Sequence, residues 1–444
     1  MLKKIGVPLG KKPLVFFISA VLITLPLGYA YNSIAIVLFV LYSLLSAKKA
    51  NITFNTALLL PLLFFAVMVV SLTWSIDFKA TLKALSKEAS LLFIPLAFCF
   101  NQRYIKMGMG SVLKNFSIAM CLFGLVFLGR AVIRYSETGS TDVFFYHELA
   151  TPEINAIYLS AIFSLPLFYF LTLKKKNFRE YAAIAFLTAF IFMLSSKTVI
   201  ITNVFLAGIY FMFYSDLSKK IKIGALLLVI AVTAAAVYFG KIKERLIAEY
   251  AANTAVERVE GGVNHISAGE ALTKTHFEQN DYFNGTSFRL YQIRIFTEML
   301  QEDPIFFTGY GLNASMQKIE QKGIEHNVYP GDGVNKGYQQ QNFHNQYVET
   351  FADLGITGFL LLLIILGYNL KNSLRTKDFV HIAFAILMIA LLLTESFLWR
   401  QRGIVFFTVI YCLYNGLQPK GTDKEQYEKN THNRRSRLSG VAPM

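Results

Sequence analysis

Long apolar blocks dominate this chain, and their length limits its fold more than any other feature. Approximate cores lie at 14–29, 33–47, 57–73, 89–101, 115–133, 154–173, 180–195, 198–214, 222–239, 347–367, 379–394 and 402–417. Roughly 20 residues at a 1.5 Å rise cross the hydrocarbon of a bilayer, where backbone polar groups must be satisfied internally. Such blocks, in a chain that is 54% hydrophobic, predict an all-α polytopic membrane protein with about twelve transmembrane helices. The N-terminal MLKKIGVPLGKK leads into the first block with no convincing small-residue cleavage site, and reads as an uncleaved first span. Cys99, Cys121 and Cys412 all fall inside apolar blocks, so they read as buried thiols and imply no disulfide framework.

Lysine and arginine in the short connections set the orientation. With the N-terminus cytoplasmic, the inner segments hold Lys3, Lys4, Lys11, Lys12, Lys48, Lys49, Arg103, Lys106 and Lys114. KKKNFRE at 174–180, SDLSKKIK at 215–222, KNSLRTKD at 371–378 and the tail follow, all net positive. The formal charge of +15 therefore reports topology and contact with anionic membrane lipids. Nucleic acid is not an expected partner, because the charge is scattered over loops and not gathered in one domain. Four regions result: a transmembrane bundle at 1–239 with about nine spans, an outer loop at 240–346, about three spans at 347–417, and a basic tail at 418–444. A loop of about a hundred residues far exceeds the usual 2–8 between bundle helices, so a folded or functional insertion is expected. Within it, TSFRLYQIRIFTEMLQEDP at 286–304 predicts an amphipathic helix capped by Thr286 or Ser287. Its expected apolar stripe is Leu290, Ile293, Phe296, Thr297 and Leu300.

Cations on the outer side violate the charge bias. Lys79, Lys83 and Lys87 share one helical face, as do Arg130 and Arg134. Snorkelling at the interface explains such residues without a function. Lys197, in a tight turn between two apolar spans, and Arg289, at a helix start where the dipole disfavours a cation, call for an anionic partner. Arg294 follows on the same helix, and Arg400 and Arg402 flank the start of the last span, after Glu395. A pyrophosphate at the membrane surface suits this set, since arginine grips phosphate oxygens bidentately and lysine adds a point charge. No D-x-D pair and no compact set of carboxylates offers a hard-cation site, so no metal and no cofactor is expected.

His344 and Asn345 end the polar run QQQNFHN at the mouth of an apolar helix. Histidine suits proton transfer near neutral pH, although a lone histidine at a helix start is commonly only structural. Here Glu349 and Asp353 follow in the outer part of the span, where a carboxylate is costly without a role. Gly355 and Gly358 would allow a close helix contact that fixes the mouth.

His344-Asn345, nine residues, then Gly355-Ile356-Thr357-Gly358 match the pattern H-(N/S/Q)-x9-G-x-x-(G/T/Y) of O-antigen ligases. The Arg289-led helix running through Pro304 to Gly309-Tyr310-Gly311, and ESFLWRQRGIVFF at 395–407, also resemble the wider O-antigen ligase and polymerase superfamily. The resemblance implies a GT-C-like bundle with one large periplasmic loop in the bacterial inner membrane. It implies transfer of a glycan from undecaprenyl pyrophosphate to lipid A–core by a ligase, to another repeat unit by a polymerase, or to a protein hydroxyl by an oligosaccharyltransferase. His344 would be the catalytic base, working with Arg289. Lys197, Arg294, Asn345, Arg400 and Arg402 would hold substrate, with inversion and no metal. The family often has arginine where this chain reads Ser196-Lys197-Thr198; lysine keeps the charge and loses the fork. A glycolipid transporter is the rival class, but such folds tend to carry internal repeats and midplane charges, and here the polar residues cluster at the outer face.

Overall fold

The computed structural model describes residues 11–47, 52, 54–151, 154–239, 263–332 and 337–416. The expected tail, the first lysines Lys3 and Lys4, the pair Lys48 and Lys49, and 240–262 of the outer segment lie outside the described residues.

Each expected apolar core falls mainly on helix, although the first helix ends at Ile23 and leaves 24–28 outside it. The first half of the chain forms α1 (Lys11–Ile23), α2 (Tyr29–Ser46), α3 (Thr56–Val70), the amphipathic α4 (Phe78–Glu88) and α5 (Ser90–Thr138). Next come α6 (Ala156–Thr172), α7 (Phe178–Met193), α8 (Lys197–Ile209) and α9 (Lys219–Phe239). By length and composition, five stretches can cross a membrane: Tyr29–Ser46, Thr56–Thr73, Gly108–Thr138, Lys197–Tyr214 and Gln346–Thr376. Lys12–Ile23, Ala156–Thr172 and Phe379–Leu392 are shorter apolar helices beside them. The fourth and fifth cores share one helical run instead of being parted by a loop. Its break is Asn101, at φ −138° and ψ 25°, whose amide donates to the Ser43 carbonyl at the end of α2 (3.0 Å).

The described residues of the segment expected outside, 263–332 and 337–345, fold into a small lobe. A three-residue parallel ribbon, β1 (Asn264–Ile266) on β2 (Asp281–Phe283), is an element the helical reading did not anticipate. With it lie α10 (Ala268–Thr273), α11 (Gly285–Glu302) and α12 (Ser315–Glu325). α11 is capped by Asn284, whose side chain accepts from the amides of Thr286 and Ser287, so neither of those two is the cap. The buried face of α11 also differs from the expected stripe. Phe288, Tyr291, Gln292, Ile295 and Met299 point inward, while Ile293 is 39% exposed. Aromatic packing decides this. Phe288 and Tyr291 join Phe277 and Phe283 in the lobe's core, and Leu290, Phe296 and Leu300 only border it.

The last described helices are α13 (Gln346–Thr376), α14 (Phe379–Leu392) and α15 (Gln401–Asn415). α13 breaks at Gly355, which sits at φ 63° and ψ −165°. A break frees backbone groups that must find other partners. The segment after α11 supplies them. Tyr310 and Gly311 amides donate to the Ala352 and Asp353 carbonyls (both 2.9 Å), and the Ile356 amide donates to the Phe306 carbonyl (2.8 Å). The Asp353 carboxylate accepts from the amides of Asn313 (2.7 Å) and Ser315 (3.3 Å). On its other side the segment is held by the Trp74 indole, which donates to the Thr308 carbonyl (3.0 Å), and by Thr81, which donates to the Leu312 carbonyl (2.8 Å). A Cβ on Gly309 (φ 68°) would lie 2.3 Å from the Asp353 backbone, and one on Gly355 would lie 2.4 Å from that of Phe307. The close contact expected of Gly355 is therefore with the backbone of Phe307 and Thr308 and not with another helix.

Candidate active site

The mouth of α13 is built by its cap. Asn345 takes an extended backbone (φ −153°), and its side chain accepts from the amides of Tyr347 (3.0 Å) and Val348 (3.2 Å). His344 just before it is driven to φ 48°, a region where a non-glycine residue is uncommon and strained. That turn aims the imidazole away from the helix, against the edge of Phe288 with ring centroids 5.8 Å apart. Nδ1 lies 3.6 Å from a Glu395 carboxylate oxygen, and Nε2 lies 3.4 Å from the Gln341 amide oxygen. Asn345 is thus committed to the cap that sets the histidine's direction.

Between α14 and α15 the chain makes a tight turn, and three consecutive residues of it gather the surroundings. The Thr394 carbonyl accepts from Arg289 Nε (2.9 Å), and the Thr394 hydroxyl donates to Thr198 (3.0 Å), the residue after Lys197. Glu395, 4% exposed, faces His344. Ser396 donates to a Glu349 carboxylate oxygen (2.9 Å) that also accepts from the Phe343 amide (3.2 Å), and the Ser396 carbonyl accepts from the Tyr158 hydroxyl (2.9 Å). Glu349 therefore fixes the residue before His344 to this turn. At the first residue of α13, Gln346 accepts from the Leu398 amide (2.7 Å).

The structure brings together some of the expected cations and not others. Arg289 is half-buried, with Nη1 donating to the Gly285 carbonyl (2.5 Å) and no described carboxylate paired with it. Lys197 opens α8 two residues after Ser195, which sits at φ 53°. Arg400 is exposed, its guanidinium 5.7 Å from the centre of the Tyr158 ring, and Tyr158 stacks on Phe397. Lys87, in the face of α4, lies 5.0 Å over the Trp399 ring. Burial and the nearby Lys83 lower its pKa. Arg402 is buried, donates to the Leu27 carbonyl (2.7 Å) and lies over Tyr29, so it ties α15 to the α1–α2 connection. Arg294 is spent inside the lobe on Glu298 (2.8 Å) and the Lys274 carbonyl (2.6 Å). Glu298 also faces His326 (3.3 Å), whose pKa burial lowers. Arg134 pairs with Glu148 away from this set.

Sequence reading passed over Thr394, Glu395 and Gln341. Glu395 carried a signal, since a carboxylate between two apolar spans is costly without a partner. Thr394 carried none, and Gln341 lay in the polar run QQQNFHN before His344 without being singled out. Among the described residues, no three His, Cys, Asp or Glu side chains converge as a metal site would require.

No curated protein matches the chain. Residues 182–363 match the family described as O-antigen ligase. The resemblance to the O-antigen ligase superfamily is therefore borne out over a span that holds Lys197, Arg289, His344 and the glycine break of α13.

Proposed function

We propose that this chain is a metal-independent, inverting glycosyltransferase of the O-antigen ligase type. It moves a glycan from undecaprenyl pyrophosphate to the sugar of lipid A–core at the periplasmic face of the bacterial inner membrane. The observation that carries this reading is the turn at 394–396, which joins Arg289 and the Lys197 end of α8 to His344 through neighbouring residues. One side is suited to a leaving pyrophosphate and the other to a hydroxyl proton.

In this reading His344 takes the proton of the acceptor hydroxyl at Nε2. The oxygen attacks the anomeric carbon, the bond from that carbon to the pyrophosphate oxygen breaks, and its electron pair leaves with the pyrophosphate. Arg289, Lys197 and Arg400 hold the departing charge. General-base help is worth about 10²–10⁴-fold. A cavity of about 690 Å³ between α6, α7, α8 and α9 supports a polyprenyl donor. Its walls include Leu167, Phe192, Met193, Ile200, Val204 and Ala207, and it adjoins the turn that leads to Lys197. Asn345 and Arg402 serve the site by shaping it, and Arg294 serves the lobe.

Disrupting the gene and resolving lipopolysaccharide on a gel tests the reaction. Loss of all capped chains, with lipid-linked polymer accumulating, is expected. Chains of a single repeat would make it a polymerase, and intact lipopolysaccharide with an unglycosylated protein would make it a protein oligosaccharyltransferase. An alkaline phosphatase fusion at Asn264 should be active if the lobe is periplasmic.

A further inference from the structure

Glu395 is buried, and no hydrogen bond to its side chain comes from any described residue. Its polar neighbour is His344 Nδ1 at 3.6 Å. The adjacent carboxylate, Glu349, is already held by the Phe343 amide and the Ser396 hydroxyl. A buried carboxylate is costly unless a positive or hydrogen-bonding partner offsets its lost hydration. The other ring nitrogen of His344 faces a second acceptor, the Gln341 amide oxygen at 3.4 Å. Gln341 is kept in that orientation because its amide nitrogen donates to the Gly337 carbonyl (2.8 Å). A neutral imidazole has one N–H and one lone pair, so it satisfies only one of these acceptors. An imidazolium satisfies both.

We propose that Glu395 is a positioning residue for His344, fixing its proton on Nδ1 and stabilising the imidazolium that forms when Nε2 takes the acceptor's proton. The inference rests on the general-base reading above and deepens it. With the proton held on Nδ1, Nε2 presents a lone pair to the opening beside Gln341. An acceptor hydroxyl donates there and gives up its proton as the glycosidic bond forms. The new Nε2–H then points at the Gln341 oxygen and Nδ1–H at Glu395. Both acceptors favour the charged state over the neutral one, which lowers the barrier without tightening ground-state binding. Glu395 can do this only from the 394–396 turn, so the element that anchors Arg289 also orients the base.

The test compares four purified full-length proteins: wild type, Glu395→Gln, His344→Ala and the double variant. Donor turnover is followed by mass spectrometry, and donor binding is followed by thermal shift with undecaprenyl pyrophosphate. Glutamine keeps the shape, but its amide group donates towards Nδ1 and selects the wrong tautomer. The expected result is a kcat about 10²-fold or more below wild type, with KM for the donor and the thermal shift unchanged. Glu395→Asp should recover part of the rate. Adding Glu395→Gln to His344→Ala should cost nothing further, because a residue acting through His344 has nothing left to act on. Wild-type kcat in Glu395→Gln beside an inactive His344→Ala overturns the Glu395 role and leaves the base reading intact. Additive losses in the double variant also overturn it, by showing a structural role independent of the histidine. An active His344→Ala overturns the base reading itself, and this inference with it.

Discussion

Arg289 donates from Nε to the carbonyl of Thr394 at 2.9 Å, across 105 residues of chain. The cation that sequence reading placed at an unfavourable helix start is thus held by a turn between two late helices. The bond takes one edge of the guanidinium and Gly285 takes another, so the orientation of the rest is set before any ligand arrives.

Arg289→Ala should therefore lose transfer by about 10²–10³-fold, the usual cost of removing one preorganised donor from developing charge. Arg289→Lys should restore only part, since a lysine cannot both hold Thr394 and grip phosphate through a fork. Donor turnover in purified protein measures both. Full activity in Arg289→Ala at normal protein level would remove it from the site.

His344→Ala should abolish transfer while leaving donor binding intact. His344→Gln should be nearly as damaged, because an amide cannot take up the proton. The wild-type rate should persist in EDTA. A chelator-sensitive wild type, or a His344→Gln enzyme at wild-type rate, would reduce His344 to a shaping residue.

Gly309→Ala and Gly355→Ala should each destabilise the fold. Both glycines sit at positive φ with backbone in the way of a Cβ, and the conformational strain alone costs about 1–3 kcal/mol. Gly367→Ala is the control, because a Cβ there meets nothing within 4 Å. Unfolding midpoints in detergent separate the cases. Equal midpoints for all three would mean that the segment at 304–313 does not lock into α13.

Asp303 gives a pH signature for the same docking. Its carboxylate accepts from the Tyr310 hydroxyl (2.7 Å) and pairs with Lys318 (2.9 Å), which together hold its pKa below the usual carboxylate range. A depressed carboxyl stabilises the fold above its unfolded pKa, near 3.9 for a typical Asp. That contribution is lost as pH falls through the lower folded value. Asp303→Asn should unfold at a lower temperature than wild type at neutral pH, and the gap should close in acid. A gap that persists unchanged in acid would assign the loss to packing and not to charge.

The apolar blocks made the helices legible, because burial in lipid demands a long run of apolar residues with its own backbone hydrogen bonds. His344 and Arg289 stand out in the sequence too, since each breaks a local expectation. Residues acting through the backbone were not. Thr394 serves Arg289 by its carbonyl, which every residue has, and only the tertiary fold tells which carbonyl is used. The break in α13 was half-read. The glycines marked a close approach, but no spacing rule says whether a helix or a loop makes it. The stripe on α11 was misjudged because the lobe's aromatics, scattered along the chain, choose the inward face.

Thr394, Glu395 and Ser396 each hold a different partner, with no spare residue among them. One amino acid inserted there would turn every grip to the wrong side. Surface loops elsewhere tolerate changes of length, so this triplet sets a boundary for building chimaeras. An outer lobe transplanted from another chain would work only if its arginine and histidine reach a host turn of the same length. A graft that carries both 285–345 and 393–399 from one donor avoids the mismatch, because the pairs then arrive already matched.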